Sequence, residues 1–425
     1  MATPVNPPRG MRDFLPAEKA RRERVLSVIR GVYRAHGFDE IETPVMEDAS
    51  RLHAGLGGDN EKLAYAVMRR GLTVDDLRSA AEPLELADLG LRFDLTVPLA
   101  RFYASHRAAL PNVFRAIQVA PVWRAERPQK GRYRQFVQCD LDIIGEPGPL
   151  AEVELLTATA ATLDALGLAG CSIRINDRRL LTGMLEAFGF ARETHEAALI
   201  TVDKLDKIGA QGVLAELRER GMPGRAVDAL ADFFGRPAPE TTRFDERTIA
   251  ASLPDGVDAA VVAQLAEIGV AVQRVRGDDS LVRFDPWLVR GMGYYTGAIF
   301  EVAHPSLGYS LGGGGRYDGM IGRFLGTDVP AAGFSLGFER LVDLVDLGED
   351  AAADAVVLVH DADVDPARLV ELQHALIGGG RRVRLERRPR NLKPLLEQLT
   401  SAGFASFALV SADADPASLE LRPLR

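Results

Sequence analysis

The chain has 425 residues, of which 47% are hydrophobic and 26% charged, a composition typical of an ordinary soluble globular protein with two or three domains. Its net charge of −9 excludes a generally basic surface, so any nucleic acid it binds must meet a local basic patch. Composition therefore indicates a soluble globular protein but does not indicate its function.

Cysteine usage and the N-terminal segment predict a cytoplasmic location. Cys139 and Cys171 stand alone without CxxC spacing, which argues against a disulfide framework or a structural zinc site. The segment MATPVNPPRGMRDFLP contains no apolar signal-peptide core, and no run of about 18 apolar residues occurs. We therefore expect a protein that is neither secreted nor membrane-spanning.

The first part of the chain predicts a long helix followed by interrupted strands. Apolar residues recur with helical spacing after Pro16, and Gly37 stands where a helix-terminating glycine is expected. Pro44 interrupts the strand pattern FDEIETPVMED and is interpreted as a subunit or domain boundary. Residues 58–90 are weakly patterned and predict a surface hairpin or a short helix. The segment LRFDLTVPLARFYASH is predicted to be a strand with three polar residues on one face: Arg92, Asp94 and Thr96.

Residues 121–142 predict the central hairpin of the fold. An apolar strand enters over residues 113–122, residues 126–131 turn, and alternation resumes afterwards. One face carries Tyr133, Val137 and Leu141, and the other carries Arg134, Phe136, Gln138, Asp140 and Asp142, joined by Arg124 and Glu126 from the incoming strand. This mixed polar face suits a ligand with phosphates, a purine and a small polar group. A half-solvated sheet is the alternative.

The next part of the chain predicts a helical insertion. Residues 149–167 predict a helix, and the strand CSIRIND leads into a second helix that ends near Gly189. Residues 195–275 are rich in alanine, leucine and charge, and we interpret them as an inserted helical domain with turns at Pro223 and Pro237.

Glycine-dense strands are predicted from Asp285 to Arg340, with a helix that starts near Gly337. Glycine inside strand patterns indicates close backbone approach, so these strands are expected to form the floor of a site for something flat. After residue 350, alternating strands and helices predict a small α/β domain with a parallel sheet. Its basic run at residues 381–390 is consistent with phosphate contact or with a solvated edge strand.

Several familiar site motifs are absent from the sequence. No GxxxxGK[ST] occurs, so any ATP is not held in a P-loop. Gly291, Gly293 and Gly297 have the wrong spacing for a dinucleotide fingerprint, and no HExxH or Ser–His–Asp arrangement is indicated. The arginines predicted to clamp phosphate oxygens are Arg124, Arg132, Arg290 and Arg340.

Five ordered motifs resemble those of a known enzyme family. GFDEIETPVMED, RAERPQKGRYRQFVQCD and GFSLGFERL look like motifs 1, 2 and 3 of the class II aminoacyl-tRNA synthetases. LVRGMGYYTGAIFE and GGGGRYDG resemble the two signatures of the histidyl-tRNA synthetases, and LRFDLTVPLAR resembles a further segment of one branch. The resemblance covers about residues 8–345. It implies an α+β fold with a class II synthetase-like antiparallel sheet flanked by helices, a helical insertion and a C-terminal α/β domain.

The resemblance also implies a domain order and an activity. The segments would be a first catalytic part with motifs 1 and 2 (1–194), the helical insertion (195–275), a second catalytic part with the histidine signatures and motif 3 (276–348), and an anticodon-binding-like domain (353–425). The implied reaction activates L-histidine with ATP and Mg²⁺ to histidyl-adenylate and transfers it to the 3′ end of tRNA(His). A cytoplasmic homodimer without a resident metal is expected.

Position-by-position matching to the family implies roles for individual residues. Arg124 and Arg290 would act on the α-phosphate as the catalytic residues. The histidine site would comprise Asp94, Thr96, Gln138, Asp142, Tyr294, Tyr295 and Tyr317. ATP would be bound by Arg124, Glu126, Arg132, Phe136 and Arg340, with the adenine between the last two and with Glu126 facing either the adenine or the tRNA end. Candidate tRNA contacts are Arg127 and Gln129.

Two departures from the family's pattern leave alternatives open. Gly293 stands where the family commonly has an acidic residue, which should loosen support of the pocket. The C-terminal domain matches in strand–helix order alone, because NLKPLLEQLTSAG replaces the usual helix and the expected closing helix does not follow LELRPLR. One alternative is a non-catalytic synthetase-like regulatory subunit of ATP phosphoribosyltransferase in histidine biosynthesis, although the retained arginines argue against it. The other is a histidine-activating paralogue with an acceptor other than tRNA.

Overall fold

The computed structural model describes residues 5–53, 62–129, 131–236, 244–290, 294–348, 355–412 and 419–424. The chain divides into two compact units. Unit 1 comprises Met1–Arg12 and Ser27–Val345, and unit 2 comprises Asp13–Leu26 and Asp346–Arg425. The predicted boundaries between catalytic and helical segments at residues 194 and 275 stay predictions.

The described strands and helices follow one another closely along the chain. The strands are β1 (Asp39–Glu40), β2 (Met46–Asp48), β3 (Tyr65–Met68), β4 (Ala87–Leu91), β5 (Phe114–Trp123), β6 (Gln135–Ile144), β7 (Ser172–Asp177), β8 (Val282–Phe284), β9 (Ala298–Ala303), β10 (Gly312–Arg316), β11 (Ala331–Gly337), β12 (Ala355–His360), β13 (Arg382–Arg387), β14 (Ser406–Val410) and β15 (Arg422–Pro423). The α-helices are α1 (Pro16–Ala35), α2 (Ala49–Leu52), α3 (Val74–Ser79), α4 (Thr96–His106), α5 (Leu150–Ala165), α6 (Arg178–Phe188), α7 (His195–Val202), α8 (Leu205–Glu219), α9 (Gly224–Phe234), α10 (Glu246–Ala251), α11 (Ala259–Arg276), α12 (Asp318–Leu325), α13 (Phe338–Val342), α14 (Pro366–Gly378) and α15 (Leu392–Ser401).

An eight-stranded sheet organises unit 1, in the order β1-β5-β6-β11-β10-β9-β7-β8. Its pairs are antiparallel except at the two edges, where β1 lies parallel to β5 and β8 parallel to β7. The predicted central hairpin is confirmed, since β5 pairs with β6 from Phe114↔Ile144 to Trp123↔Gln135. The expected α+β class with a largely antiparallel sheet and flanking helices is therefore confirmed.

Helix ends fall where the sequence signals place them. Gly37, which follows α1, has a φ of +82° that favours glycine. At α6, the Asp177 carboxylate accepts a hydrogen bond from the Arg179 N–H, and Gly189 closes the helix in the left-handed conformation. The helix predicted to start near Gly337 is α13, which begins at the next residue.

The strand prediction for residues 91–106 is wrong. Strand β4 ends at Leu91, and α4 begins at Thr96 with Pro98 in its first turn. Arg92 is buried and donates to the backbone oxygens of Thr43 (2.8 Å) and Pro121 (2.9 Å). The three polar residues of this segment therefore do not share a strand face.

A second, three-stranded sheet in unit 1 has the order β2-β4-β3. Its last two strands pair antiparallel, with α3 between them in the chain, so residues 62–90 contain both the hairpin and the short helix that were alternatives. The predicted part at residues 58–61 lies outside the described residues.

Helices α7 to α11 follow β7 and α6 as predicted from composition. Pro223 precedes α9 as its N-cap, whereas the turn predicted at Pro237 lies outside the described residues. Helix α11 packs on α5, and α6 packs on α9. Helices α9 and α11 therefore pack on elements outside the predicted insertion.

Unit 2 contains a four-stranded sheet in the order β13-β12-β14-β15. The first three strands are parallel, as expected for alternating strands and helices, while β15 was not predicted and pairs antiparallel with β14. Apolar clusters fill both faces of the sheet. Strand β13, which carries the basic run, lies at the edge.

Among the described residues, no helix is long and apolar enough to cross a membrane.

Candidate active site

A cavity of about 1600 Å³ lies in unit 1 over the eight-stranded sheet. It is larger than the roughly 300–1000 Å³ of ordinary small-molecule sites. Its lining includes all the residues for which a role in binding or catalysis was predicted: Asp94, Thr96, Arg124, Glu126, Arg127, Gln129, Arg132, Phe136, Gln138, Asp142, Arg290, Tyr294, Tyr295, Tyr317 and Arg340.

The polar face of β6 forms one side of this cavity. Phe136, Gln138, Asp140 and Asp142 alternate along the strand and all reach the cavity. The prediction for Arg134 is wrong, because β6 begins at the next residue. The backbone N–H of Arg134 donates to the Gly10 oxygen (2.8 Å) and its side chain to the Glu126 oxygen (3.0 Å).

A carboxylate and a tyrosine meet on the β6 face. The Tyr317 hydroxyl donates to Oδ1 of Asp142, and both residues are buried. Burial raises the pKa of Asp142 to about 7, against the lowering effect of the Tyr317 hydrogen bond. Burial also raises the pKa of the Tyr317 hydroxyl well above its usual value, so the tyrosine is a hydrogen-bond donor here.

Gln138 carries an unsatisfied acceptor beside this pair. Its Nε2 donates to Ser335 Oγ at 2.9 Å and approaches the Asp140 carboxylate at 3.3 Å. Its Oε1 is buried and has no partner among the described residues. Because a buried acceptor without a donor is costly, Oε1 is suited to a ligand that brings an N–H group.

Two further tyrosines lie beside Tyr317. The hydroxyls of Tyr294 and Tyr295 are 3.2 Å apart, and their ring centroids are 4.3 Å apart. The Tyr294 and Tyr317 centroids are 6.5 Å apart in an edge-on arrangement. Burial raises the pKa of Tyr294 and of Tyr295. This end of the cavity is therefore an aromatic pocket with a carboxylate inside it.

The four arginines line the same cavity, and the charges of Arg132 and Arg290 act on Arg340. Arg124 donates to the Phe93 oxygen (2.9 Å) and lies 5.1 Å from the Phe136 ring centroid. Arg340 donates to the Ser310 oxygen (2.5 Å) and lies 5.0 Å from the Tyr309 ring centroid. Burial, followed by the positive charges of Arg132 and Arg290, lowers the pKa of Arg340. Such a concentration of positive charge suits an anionic ligand.

Glycines in β10 and β11 let neighbouring groups approach the sheet. A Cβ on Gly314 would lie 1.9 Å from the Gly333 oxygen, and one on Gly313 would lie 2.3 Å from Cζ of Arg290. Neither position can carry a side chain without displacing its neighbours. Gly313 lines the cavity, but residues 285–290 and 294–297, which were predicted as strand, do not form one. That the glycines form the floor of a site for something flat stays a prediction.

Comparison with known proteins identifies the family. A family model described as histidyl-tRNA synthetase matches residues 10–341. The chain belongs to the histidyl-tRNA synthetase family. A histidine–tRNA ligase of Leifsonia xyli subsp. xyli is 61% identical over 429 residues, covering 100% of this chain and 99% of the relative.

Solved structures show the same fold. The crystal structure of histidyl-tRNA synthetase from Nostoc sp. PCC 7120 has a TM-score of 0.77 and 25% identity, covering 100% of this chain and 95% of that chain. A crystal structure described as an ATP phosphoribosyltransferase regulatory subunit/histidyl-tRNA synthetase from Bacillus halodurans C has a TM-score of 0.76 and 20% identity, covering 97% and 100%. At that identity the second likeness concerns the fold alone.

Some cavity residues of this family member were not assigned roles from the sequence. They are Asp140 and Ser335 beside Gln138, Glu301 beside Arg290, and Glu339. Glu339 accepts hydrogen bonds from Arg12 and from the Val137 N–H. The signal for Glu301 was present, since it is a charged residue in the apolar strand AIFEVA and within a histidyl-tRNA synthetase signature.

Gly293, the departure in the signature, lies outside the described residues. In the part of the chain that the structure describes, no group of three or more His, Cys, Asp or Glu side chains could hold a metal ion.

Proposed function

We propose that the protein is a histidine–tRNA ligase, which activates L-histidine with ATP and transfers the histidyl group to the 3′ end of tRNA(His). The observation that carries the proposal is that a single cavity contains two chemically different binding regions. One end has a buried carboxylate among tyrosines, and the other has four arginines. The full-length similarity to curated ligases supports the same activity.

The pocket around Asp142 is proposed to bind the histidine side chain. The carboxylate accepts an imidazole N–H, while Tyr295 provides a second polar contact and Tyr294 and Tyr317 close the pocket. Apolar amino acids would leave these buried polar groups unpaired and should therefore be rejected strongly.

The amino-acid backbone of histidine is proposed to lie next to this pocket. The unsatisfied Oε1 of Gln138 accepts a hydrogen bond from the ammonium group. Asp94 supplies negative charge to the same group, and Thr96 at the start of α4 contacts the histidine carboxylate.

The arginine end is proposed to bind ATP. The adenine lies between the Phe136 ring and the Arg340 guanidinium, with Glu126 at its edge. Arg132, which is 3.4 Å from the Glu126 carboxylate, contacts the outer phosphates. Arg124 and Arg290 contact the α-phosphate.

The reaction needs positioning and charge neutralisation more than proton transfer. The histidine carboxylate attacks the α-phosphorus in line, and pyrophosphate leaves. Arg124 and Arg290 stabilise the charge that develops on the equatorial oxygens. Mg²⁺ enters with ATP as part of the substrate, since this ion is usually held by one or two carboxylates together with substrate phosphates. The ribose hydroxyl of tRNA then attacks the acyl carbon of the adenylate. An ester bond to the ribose forms, the acyl–phosphate bond breaks, and AMP leaves together with the hydroxyl proton.

Contacts with tRNA are proposed for the loop between β5 and β6, where Arg127 and Gln129 line the cavity mouth. Unit 2 is the candidate for recognising the anticodon. Its edge strand β13 carries two exposed arginines, Arg382 and Arg387.

A cytoplasmic homodimer is the proposed form of the enzyme. Exposed apolar side chains near the three-stranded sheet, Val45 (41% exposed), Met46 (45%) and Met68 (61%), are consistent with a subunit contact beside Pro44. Both cysteines are free thiols, as expected in a reducing compartment.

The test is histidine-dependent ATP–pyrophosphate exchange by the purified protein, followed by charging of tRNA. Exchange together with charging is the expected result. Exchange without charging would favour the alternative acceptor. Absence of exchange would favour the regulatory-subunit alternative, which the full-length similarity to ligases does not favour.

A further inference from the structure

We infer that Glu301 is a positioning residue that holds Arg290 against the sheet in the orientation needed for catalysis, and that Arg174 holds Glu301. This inference rests on the proposed function, because it concerns the arginine proposed to act on the α-phosphate. Glu301 lines the cavity but has no proposed role in the binding of histidine or ATP, and the inference gives it one.

Three positions in one row across the sheet carry this arrangement. Glu301 on β9 lies opposite Arg174 on β7 and, on its other side, opposite Gly313 on β10. Since Gly313 has no side chain, the Arg290 guanidinium occupies that space: a Cβ on Gly313 would be 2.3 Å from Cζ and 2.5 Å from Nη1. The sheet register thus brings two guanidinium groups to the two sides of one carboxylate.

Both oxygens of the Glu301 carboxylate are engaged. Oε2 accepts a hydrogen bond from Nη1 of Arg290, and Oε1 accepts one from Nη2 of Arg174. The Glu301 side chain is 13% exposed, so the attraction is screened less than at the surface. Because Arg174 fixes one oxygen of the Glu301 carboxylate, the other oxygen has a defined position from which it can orient Arg290.

Arg174 is itself fixed by carboxylates from other parts of unit 1. Its Nη1 lies 3.1 Å from Oδ2 of Asp285, which follows β8, and 3.3 Å from Oδ2 of Asp206 in α8. The Asp206 side chain is 78% exposed, so Asp285 is the stronger partner.

Pairing with Glu301 leaves Arg290 able to contact substrate. The contacts with Glu301 and with Ser310 Oγ (3.5 Å) both use Nη1. A guanidinium has five N–H donors, so the remaining edge can face an anion in the cavity. Glu301 also offsets the repulsion among the cavity arginines and thereby keeps Arg290 close to them.

The test combines Glu301→Gln with Arg290→Ala in a double-mutant cycle, measured by histidine-dependent ATP–pyrophosphate exchange. Glu301→Gln should lower kcat about 10- to 100-fold with little change in KM for histidine, since small misplacements of catalytic groups have effects of this size. In the Arg290→Ala background the same substitution should have almost no further effect.

The matched control is Glu154→Gln. Glu154 makes a two-pronged pair with Arg115 (2.6 and 2.7 Å) outside the cavity lining, so its loss should leave kcat unchanged. If Glu301→Gln does not fold, Arg174→Lys should show a smaller kcat loss with the same dependence on Arg290.

Additive losses, or an unchanged kcat, would overturn the positioning role while leaving the proposed function intact. Absence of exchange in the unmodified protein would instead overturn the proposed function and this inference with it.

Discussion

Asp142 on β6 and Gly333 on β11 are directly opposed in the sheet, and a Cβ on Gly333 would lie 2.0 Å from Oδ1 of Asp142. The carboxylate therefore occupies space that any larger residue at position 333 would fill. The Tyr317 hydroxyl donates to the same oxygen. The orientation of the Asp142 carboxylate thus depends on the absence of a side chain at Gly333 and on the hydrogen bond from Tyr317.

Gly333→Ala should displace the Asp142 carboxylate and weaken histidine binding. Overpacking of this kind typically costs about 1–3 kcal/mol, so we expect KM for histidine to rise roughly 10- to 100-fold. KM for ATP should change much less. The control is Gly319→Ala in α12, where a Cβ would meet nothing within 4 Å. Equal effects of the two substitutions on histidine KM would contradict the role of Gly333.

Arg290→Ala should lower the rate of adenylation far more than it lowers histidine affinity. Removing one charge-stabilising donor from a transition state typically costs about 10²- to 10³-fold in kcat. Pyrophosphate exchange at saturating histidine and ATP measures the rate, and equilibrium binding measures the affinity. Comparable losses in both would argue that Arg290 binds the ground state and the transition state equally.

Asp142→Asn should alter the pH dependence of stability. Because burial raises the folded-state pKa to about 7, the carboxyl group's contribution to stability is fully present below its unfolded pKa of about 3.9 and is lost as the pH rises through about 7. The asparagine variant lacks this loss. Its free energy of unfolding relative to the unmodified protein should therefore be higher at pH 8 than at pH 5, by about 1–3 kcal/mol.

Denaturant unfolding without ligand at both pH values measures this difference. A difference that is the same at pH 5 and pH 8 would show that Asp142 titrates normally. The same substitution should weaken histidine binding at pH 8, because an amide is a poorer partner than a carboxylate for an imidazole N–H.

Arg316→Ala should destabilise the fold. Arg316 pairs with Glu152 at 2.6 and 2.7 Å, and the two side chains are 8% and 2% exposed. Breaking a buried pair leaves a charge without compensation and typically costs about 3–5 kcal/mol. The exposed pair of Arg218 and Asp228 provides the control, since Arg218→Ala should cost less than about 1 kcal/mol. Thermal and denaturant unfolding distinguish the two.

Much of the site could be predicted from local pattern. Strand alternation placed Phe136, Gln138 and Asp142 on one face because the pleat has a fixed period of two. The same rule failed at Arg134 and Arg92, where the chain had not yet entered a strand or had already left one. In the segment after Arg92, polar and apolar residues alternate as in a strand, yet Pro98 lies in the first turn of α4, which begins at Thr96.

The pairing of Glu301 could not be predicted from local pattern. It depends on the register of β9 against the next strand, β10, and against β7, which lies far earlier in the chain. A carboxylate within an apolar strand was visible, but the identity of its partners follows from tertiary structure alone. For the same reason, the unsatisfied oxygen of Gln138 appeared once Ser335 and Asp140 were known to engage its amide nitrogen.

The order of strands in the large sheet has a consequence for biosynthesis. Strands β6 and β7 are consecutive in the chain, yet β11, β10 and β9 lie between them. While the ribosome is still making residues 178–297, the inner edges of β6 and β7 have no partner strand, and β7 also lacks β8 until residues 282–284 are made. Such unpaired edges invite aggregation. The missing strands are also those that carry Gly313, Gly333 and Glu301. Because β9, β10 and β11 are synthesised after the strands that flank them, folding of the sheet should be slow. The sheet and the proposed catalytic site should then be completed in the same folding step.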